Sequence, residues 1–256
     1  MKKLFLAALV YLGLSASTFA AGGGIPWDTF PADRGTNLAS LQNGAKIFVN
    51  NCLNCHNAAF LRYNRLRDIG LTEDQIKNNL MFTTEKVGET MKVSLDPRNA
   101  KEWFGGVPPD LTLIARSRSA VGVGPGTDYL YTFMRTFYRD DTKPTGWNNL
   151  AFPNTGMPHV LWEMQGVRGA KFEDRPDPLN PGKTTKEFVG FEQLSPGKLT
   201  SAQYDQQIAD LVAFLQWMGE PNRTNRVQIG VVVMIFLSIF TLIAWQLNRV
   251  FWKDIK

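Results

Sequence analysis

Cys52-Leu53-Asn54-Cys55-His56 places two thiols and an imidazole within five consecutive residues. The spacing is C-x-x-C-H, the attachment motif of a c-type haem. Each thiol can add to one haem vinyl group, and the imidazole is then held under the iron as its proximal ligand. The chain has 2 cysteines in all, so neither is spare for a structural disulfide. Zinc and thioredoxin-like redox chemistry are the competing uses of a C-x-x-C pair. A structural zinc takes four ligands, and the only histidine outside the motif is His159. A redox pair follows a strand in a βαβ setting, whereas the residues before Cys52 carry helical spacing. One covalent haem c is the reading that uses all three side chains.

A second axial ligand has to come from elsewhere. Phe152 to Trp162 reads F-P-N-T-G-M-P-H-V-L-W, with Met157 between Gly156 and Pro158 in a constrained loop. Met157 and His159 are both candidates on chemistry alone. A third stretch, Trp103 to Arg118, contains V-P-P-D-L at 107–111. Pro108 and Pro109 cannot donate backbone hydrogen bonds, so this loop is extended and keeps its carbonyls free. A carbonyl such as that of Pro109 could accept from the proximal imidazole and orient it. Arg116 and Arg118 follow, and a guanidinium matches a haem propionate.

Helices must carry these residues. Leu38, Leu41, Ala45 and Phe48 recur at helical spacing, predicting a helix over 37–50 that delivers the chain to Cys52. Thr72 is expected to cap a helix to about Asn79, and Asp110 to cap another. The aromatic-rich run 128–138 reads as a buried helix, and 142–146 as a turn. Residues 81–98 carry no clear period. Residues 168–197, with four prolines and many charges, read as a long surface insertion. Thr200 and Gln203 form a capping box ahead of the stripe Ile208, Leu211, Val212, Leu215, Met218. Gly44 allows that helix to cross the first one closely.

Two segments stand apart from the folded part. Met1–Lys3 is basic, Leu4 to Leu14 is apolar, and small residues end at Ala20, the pattern of a signal peptide over 1–20. Val227 to Leu247 has no charged residue and is long enough to cross a bilayer. Arg249, Lys253 and Lys256 follow it, which places the tail in the cytoplasm by the positive-inside rule. The division expected is 1–20 signal peptide, 21–222 exported domain, 223–248 single-pass anchor and 249–256 short tail. The net charge of +5 comes from the two ends. Between residues 21 and 222, 21 basic side chains face 22 acidic ones. That excludes a nucleic-acid surface and suits a basic soluble partner.

C-L-N-C-H at 52–56, V-P-P-D-L followed by A-R-S-R, D-Y at 128–129, G-M-P at 156–158 and the C-terminal anchor together resemble the cytochrome c1 family. This is the haem c subunit of the bacterial quinol–cytochrome c oxidoreductase, the cytochrome bc1 complex. The resemblance implies a mainly α, cytochrome c-type haem domain with large loop insertions and one C-terminal transmembrane helix. It implies thioether bonds at Cys52 and Cys55, axial ligation by His56 and Met157, a propionate contact from Arg118, and Tyr129 near the haem. Many members have A-M-[AP]-P where this chain has G-M-P-H, which keeps His159 as an alternative ligand. The paired cysteines that some members add are absent.

The implied activity is one-electron transfer from a Rieske iron–sulfur protein to a soluble cytochrome c. Cytochrome b and the Rieske subunit are the implied partners in the bacterial inner membrane, with the haem domain in the periplasm. No catalysis is expected of the isolated chain. A free-standing tethered electron carrier and a haem-based small-ligand sensor are the alternatives.

Overall fold

The computed structural model describes residues 25–93, 95–120, 123–177 and 182–253, so the expected signal peptide lies outside the described residues. The helix leading to the haem motif is α1, Leu38–Asn51, whose Asn37 cap accepts from Ser40 N at 3.2 Å. Next come β1 (Ala58–Arg62), a 3-10 turn over Tyr63–Ile69, α2 (Glu73–Asn79) and β2 (Thr90–Met91). Thr72 caps α2 as expected, and Gln75 as the reciprocal partner makes the cap a capping box. β2 pairs antiparallel with β1 inside the stretch that had no period.

Then follow α3 (Pro97–Phe104), α4 (Ile114–Ser117), α5 (Gly126–Arg135), β3 (Phe137–Arg139), β4 (Trp147–Asn149), α6 (Trp162–Gln165), β5 (Gly166–Pro176), β6 (Thr184–Pro196) and α7 (Ser201–Gly219). The chain divides into two units, Met1–Gly219 and Glu220–Lys256.

The core of the first unit is the crossing of α1 and α7 at Gly44. A Cβ there would stand 2.1 Å from the Asp210 carbonyl oxygen and 2.7 Å from Phe214 Cβ, so only glycine fits. Beside it Phe48 and Phe214 pack with centroids 5.6 Å apart and both rings fully buried. Burying each is worth about 1.5–3 kcal/mol. The close approach also buries Asp210, whose carboxylate accepts from Asn43 Nδ2 at 2.8 Å and from Arg34 Nη1 at 3.0 Å. That satisfies a charge that would otherwise be costly to bury. The capping box of Thr200 and Gln203 starts α7, through bonds of 3.0 and 3.3 Å.

Three local expectations are corrected. The helix expected over 128–138 stops at Arg135. Thr136 Oγ1 donates to Thr132 O at 2.9 Å and Asn149 Nδ2 to Phe133 O at 2.7 Å, so side chains take up its last carbonyls and Phe137 leaves as a strand against β4. Asp110 caps no helix. Its carboxylate accepts from Thr112 N and from Ala59 N, both at 2.8 Å, tying its loop to β1. The insertion over 168–197 is not irregular: β5 and β6 form one long antiparallel hairpin, with bulges after Val167 and Lys171. Midway along β5 Phe172 meets Tyr138 of β3, centroids 6.0 Å apart.

Residues 25–31 lie over α5 as an extended arm. Trp27 stands edge-on to Tyr129 at 5.3 Å, and Asp28 N donates to Thr132 Oγ1 at 2.7 Å. Arg135 then joins arm, α5 and α7 by contacting Asp28 at 2.6 Å and Asp205 at 2.6 and 2.9 Å.

The second unit is one helix, α8, Arg223–Phe251. Its stretch Asn225–Phe251 contains 18 consecutive residues with a mean hydropathy of 2.6, of which 0% are buried. At about 1.5 Å per residue it is long enough to span a bilayer. Ser238 and Thr241 donate back to the carbonyls of Met234 and Leu237 at 2.8 and 2.7 Å, so neither hydroxyl is left unpaired in an apolar surrounding.

Candidate haem site

The C-x-x-C-H motif continues from the last turn of α1. Cys52 N donates to Phe48 O at 2.8 Å, and His56 N to Cys52 O at 2.8 Å. The seat of α1 on α7 therefore sets where both sulfurs and the imidazole lie. Leu53 points inward, 2% exposed, while Cys52, Cys55 and His56 line one cavity of about 580 Å³. That volume is ordinary for a cofactor pocket.

The loop at 107–111 closes one side of the cavity. Leu111 N donates to Asn57 O at 2.8 Å, and Asp110 holds Ala59, so the loop is laced to the residues just after His56. His56 Nδ1 consequently meets the carbonyl of Pro109 at 2.7 Å. A carbonyl only accepts, so Nδ1 carries the proton and Nε2 is the nitrogen left for another partner. Burial holds the imidazole below its usual pKa, against the opposing pull of the Pro109 carbonyl and of Asp110. The neutral ring is the form that binds a metal.

On the wall formed by α4 and α5, Gly126 sits so close that a Cβ would be 2.3 Å from Ala115 O. This contact brings Arg118 beside Tyr129, its guanidinium carbon 5.6 Å from the ring centroid, and both line the cavity. Tyr129 stacks on Phe133 at 5.9 Å, continuing the wall.

The opposite wall is the 154–158 loop. Met157 lines the cavity, its N–H bonded to Thr155 Oγ1 at 3.3 Å. Gly156 lies against α3, where a Cβ would meet Phe104 O at 2.4 Å. His159 does not line the cavity. It is 1% exposed, stacked on Phe137 at 4.9 Å and 6°, with Nε2 bonded to Gln165 Oε1 at 2.8 Å. Burial pushes its pKa down to about 3.

All seven residues singled out from the sequence, Cys52, Cys55, His56, Pro109, Arg118, Tyr129 and Met157, thus line one cavity. Phe104, Phe152, Leu211 and Leu215 also line it and were not singled out. Leu211 and Leu215 belong to the apolar stripe of α7, whose spacing signals burial but not which surface covers it.

The contents suit a covalent haem. Two thiols stand ready for two vinyl groups, an imidazole has its proton fixed away from the cavity, and the remaining lining is mostly apolar with one arginine. Burial and the neighbouring Cys55 push the Cys52 thiol up to about 12. Zinc has no comparable set: among the described residues no three His, Cys, Asp or Glu side chains converge.

The Cytochrome C1 family matches residues 34–177 and 186–255. The interruption begins after β5 and ends just inside β6. The chain is 39% identical to cytochrome c1 of Allochromatium vinosum over 256 residues, which cover 100% of both chains. It is 40% identical over 255 residues to a Nitrosomonas europaea protein named ammonia monooxygenase gamma subunit, covering 100% of this chain and 99% of that one. Cytochrome c1 of Rhodospirillum rubrum is 25% identical, with 100% and 98% covered. The chain therefore belongs to the cytochrome c1 family, whose members carry one covalently bound haem c and act in electron transfer as a membrane-anchored subunit of the bc1 complex.

Proposed function

We propose that this chain takes single electrons from a Rieske iron–sulfur protein and passes them to a soluble cytochrome c, alongside cytochrome b and the Rieske subunit. Haem c, when bound, supplies the one-electron couple. Cys52 and Cys55 would hold it by thioether bonds, and His56 and Met157 would bind its iron. The observation that carries this reading is the composition of one cavity. His56 and Met157 line it together with both thiols, while His159 is stacked away from it.

The protein's part is to hold these groups still. The Pro109 carbonyl keeps the His56 proton on Nδ1 and the ring in one orientation, which raises the basicity of Nε2. A thioether ligand and an apolar lining both favour the reduced state and raise the potential. Arg118 neutralises a propionate, with Tyr129 packed under its guanidinium. A histidine–methionine pair leaves no axial position for a small ligand, which separates electron relay from sensing or oxygen chemistry.

Residues 1–20 direct export and 21–222 form the haem domain in the periplasm. Residues 223–248 anchor it in the bacterial inner membrane, and 249–256 remain in the cytoplasm. The basic residues after α8 and the uncharged span support this orientation. The nearly balanced, slightly acidic composition of 21–222 supports a basic soluble acceptor.

The test is a reduced-minus-oxidised spectrum of the purified protein beside Met157→Leu. The variant is expected to lose low-spin character in the reduced state and to have a lower potential, while keeping covalent haem. An unchanged variant spectrum would remove Met157 from the site.

A further inference from the structure

We propose that His159 is the positioning residue of the distal loop: its buried ring fixes where Met157 presents its sulfur. The inference rests on the reading of Met157 as axial ligand.

The ring is held on four sides by four elements. Phe137 of β3 stacks on it at 4.9 Å, Trp147 of β4 meets it edge-on at 5.2 Å, and Tyr204 of α7 meets it edge-on at 6.4 Å. Gln165 of α6 accepts from Nε2 at 2.8 Å. Tyr204 is itself tied down, its hydroxyl donating to Met134 O at 2.8 Å. At 1% exposure the ring is closed off from solvent on all sides.

This rigidity reaches Met157 through very little chain. Only Pro158 separates the two residues, and its φ is fixed by the pyrrolidine ring. The other end of the loop is held by the 2.8 Å bond from Asn154 N to Asn148 Oδ1, by the 3.3 Å bond from Met157 N to Thr155 Oγ1 and by the packing of Gly156 on Phe104 O. His159 is thus the anchor on the C-terminal side of the ligand, one proline away from it. A ligand side chain keeps its geometry only when the residues around it are locked by their own packing and hydrogen bonds.

A second observation argues that the ring is there for position and not merely to fill space. Its Nδ1 is buried with no hydrogen-bond partner among the described residues. A leucine or phenylalanine would fill the volume without leaving a buried polar atom unpaired. The histidine adds the directional bond to Gln165, which a hydrocarbon side chain cannot make.

The experiment uses the full-length membrane-bound protein with its haem attached. His159→Leu keeps bulk but loses the planar stack and the bond; Gln165→Met removes only the acceptor. The readouts are the sulfur-to-iron charge-transfer absorption of the oxidised protein, the carbon monoxide binding rate of the reduced protein, and the melting temperature. His159→Leu is expected to weaken the charge-transfer band and to bind carbon monoxide at least tenfold faster. Gln165→Met is expected to shift both the same way by a few-fold, and it decides alone if His159→Leu fails to fold. A lower melting temperature with band and rate within twofold of wild type in both variants would overturn the proposal and leave His159 a packing residue. Met157→Leu is run beside them. If it leaves band and rate unchanged, the axial-ligand reading has failed first and takes the proposal with it.

Discussion

The two faces of the haem cavity are built by opposite means. On the proximal face, Cys52, Cys55 and His56 belong to one run at the end of a single helix, and the loop that steadies the imidazole is laced to the very next residues, Asn57 and Ala59. On the distal face, Met157 rides a loop between elements, and what holds it comes from β3, β4, α6 and α7. On the proposed reading, thioether bonds to Cys52 and Cys55 would make the proximal face tolerant, because they would hold the haem whatever the packing does. The distal face relies on ring packing and side-chain hydrogen bonds contributed by separate elements. A mutation remote in sequence should therefore disturb the sulfur side before the imidazole side.

Substitutions test that contrast, beginning with the largest effect. His56→Ala should abolish electron transfer and yield little mature holoprotein, whereas Met157→Leu should keep its covalent haem. Haem staining of denatured protein on a gel measures the difference, and equal loss in both would break the contrast. Gly44→Val comes next. A side chain there meets Asp210 O and Phe214 Cβ and forces α1 off α7, at a cost of about 3 kcal/mol or more. The expected drop in melting temperature is about 10 °C, with the proximal and distal faces both disturbed because α1 carries the motif.

Thiol reactivity in chain made without haem attachment is a finer probe of the proximal face. Burial raises both thiols, but Cys52, pushed up to about 12, far more than the half-exposed Cys55. Alkylation at pH 8 should therefore modify Cys55 faster, by roughly tenfold or more, since only the thiolate reacts. Mass mapping of the alkylated peptide reads the order. Pro109→Ala should have the smallest effect. The carbonyl that meets His56 Nδ1 remains, and the loop loses only its fixed φ, about 0.4–1 kcal/mol. A spectrum close to wild type with a melting temperature lower by a few degrees is expected.

The hairpin at 166–196 shows where sequence patterning stopped being informative. Its prolines at 176, 178, 181 and 196 and its scattered charges hide the strand period, and most of its side chains face solvent, so no apolar alternation marks it. Register there is read from the ladder between the two strands, and with so little of either face buried the side-chain pattern does not specify it. Helix ends failed for a related reason. Residues 136–138 are aromatic and β-branched enough to extend α5 or leave it, and Asn149, contributed from β4, decided by capping Phe133 O.

The sequence by itself determined the covalent chemistry, because C-x-x-C-H is contiguous and its reactivity needs no fold to be recognised. It determined the apolar span of α8, which depends on composition and length alone, and the close crossing at Gly44, which only a missing side chain permits. Tertiary structure decided the rest of the site. That Met157 faces the cavity while His159, two residues on, turns into a stack of rings could not be read from either residue's type, since thioether and imidazole both bind iron. The choice was made by Phe137, Trp147, Gln165 and Tyr204, which are brought around one ring from separate parts of the chain. Side-chain direction in a loop is set by such distant contacts, and the sequence records the residues without recording which of them meet.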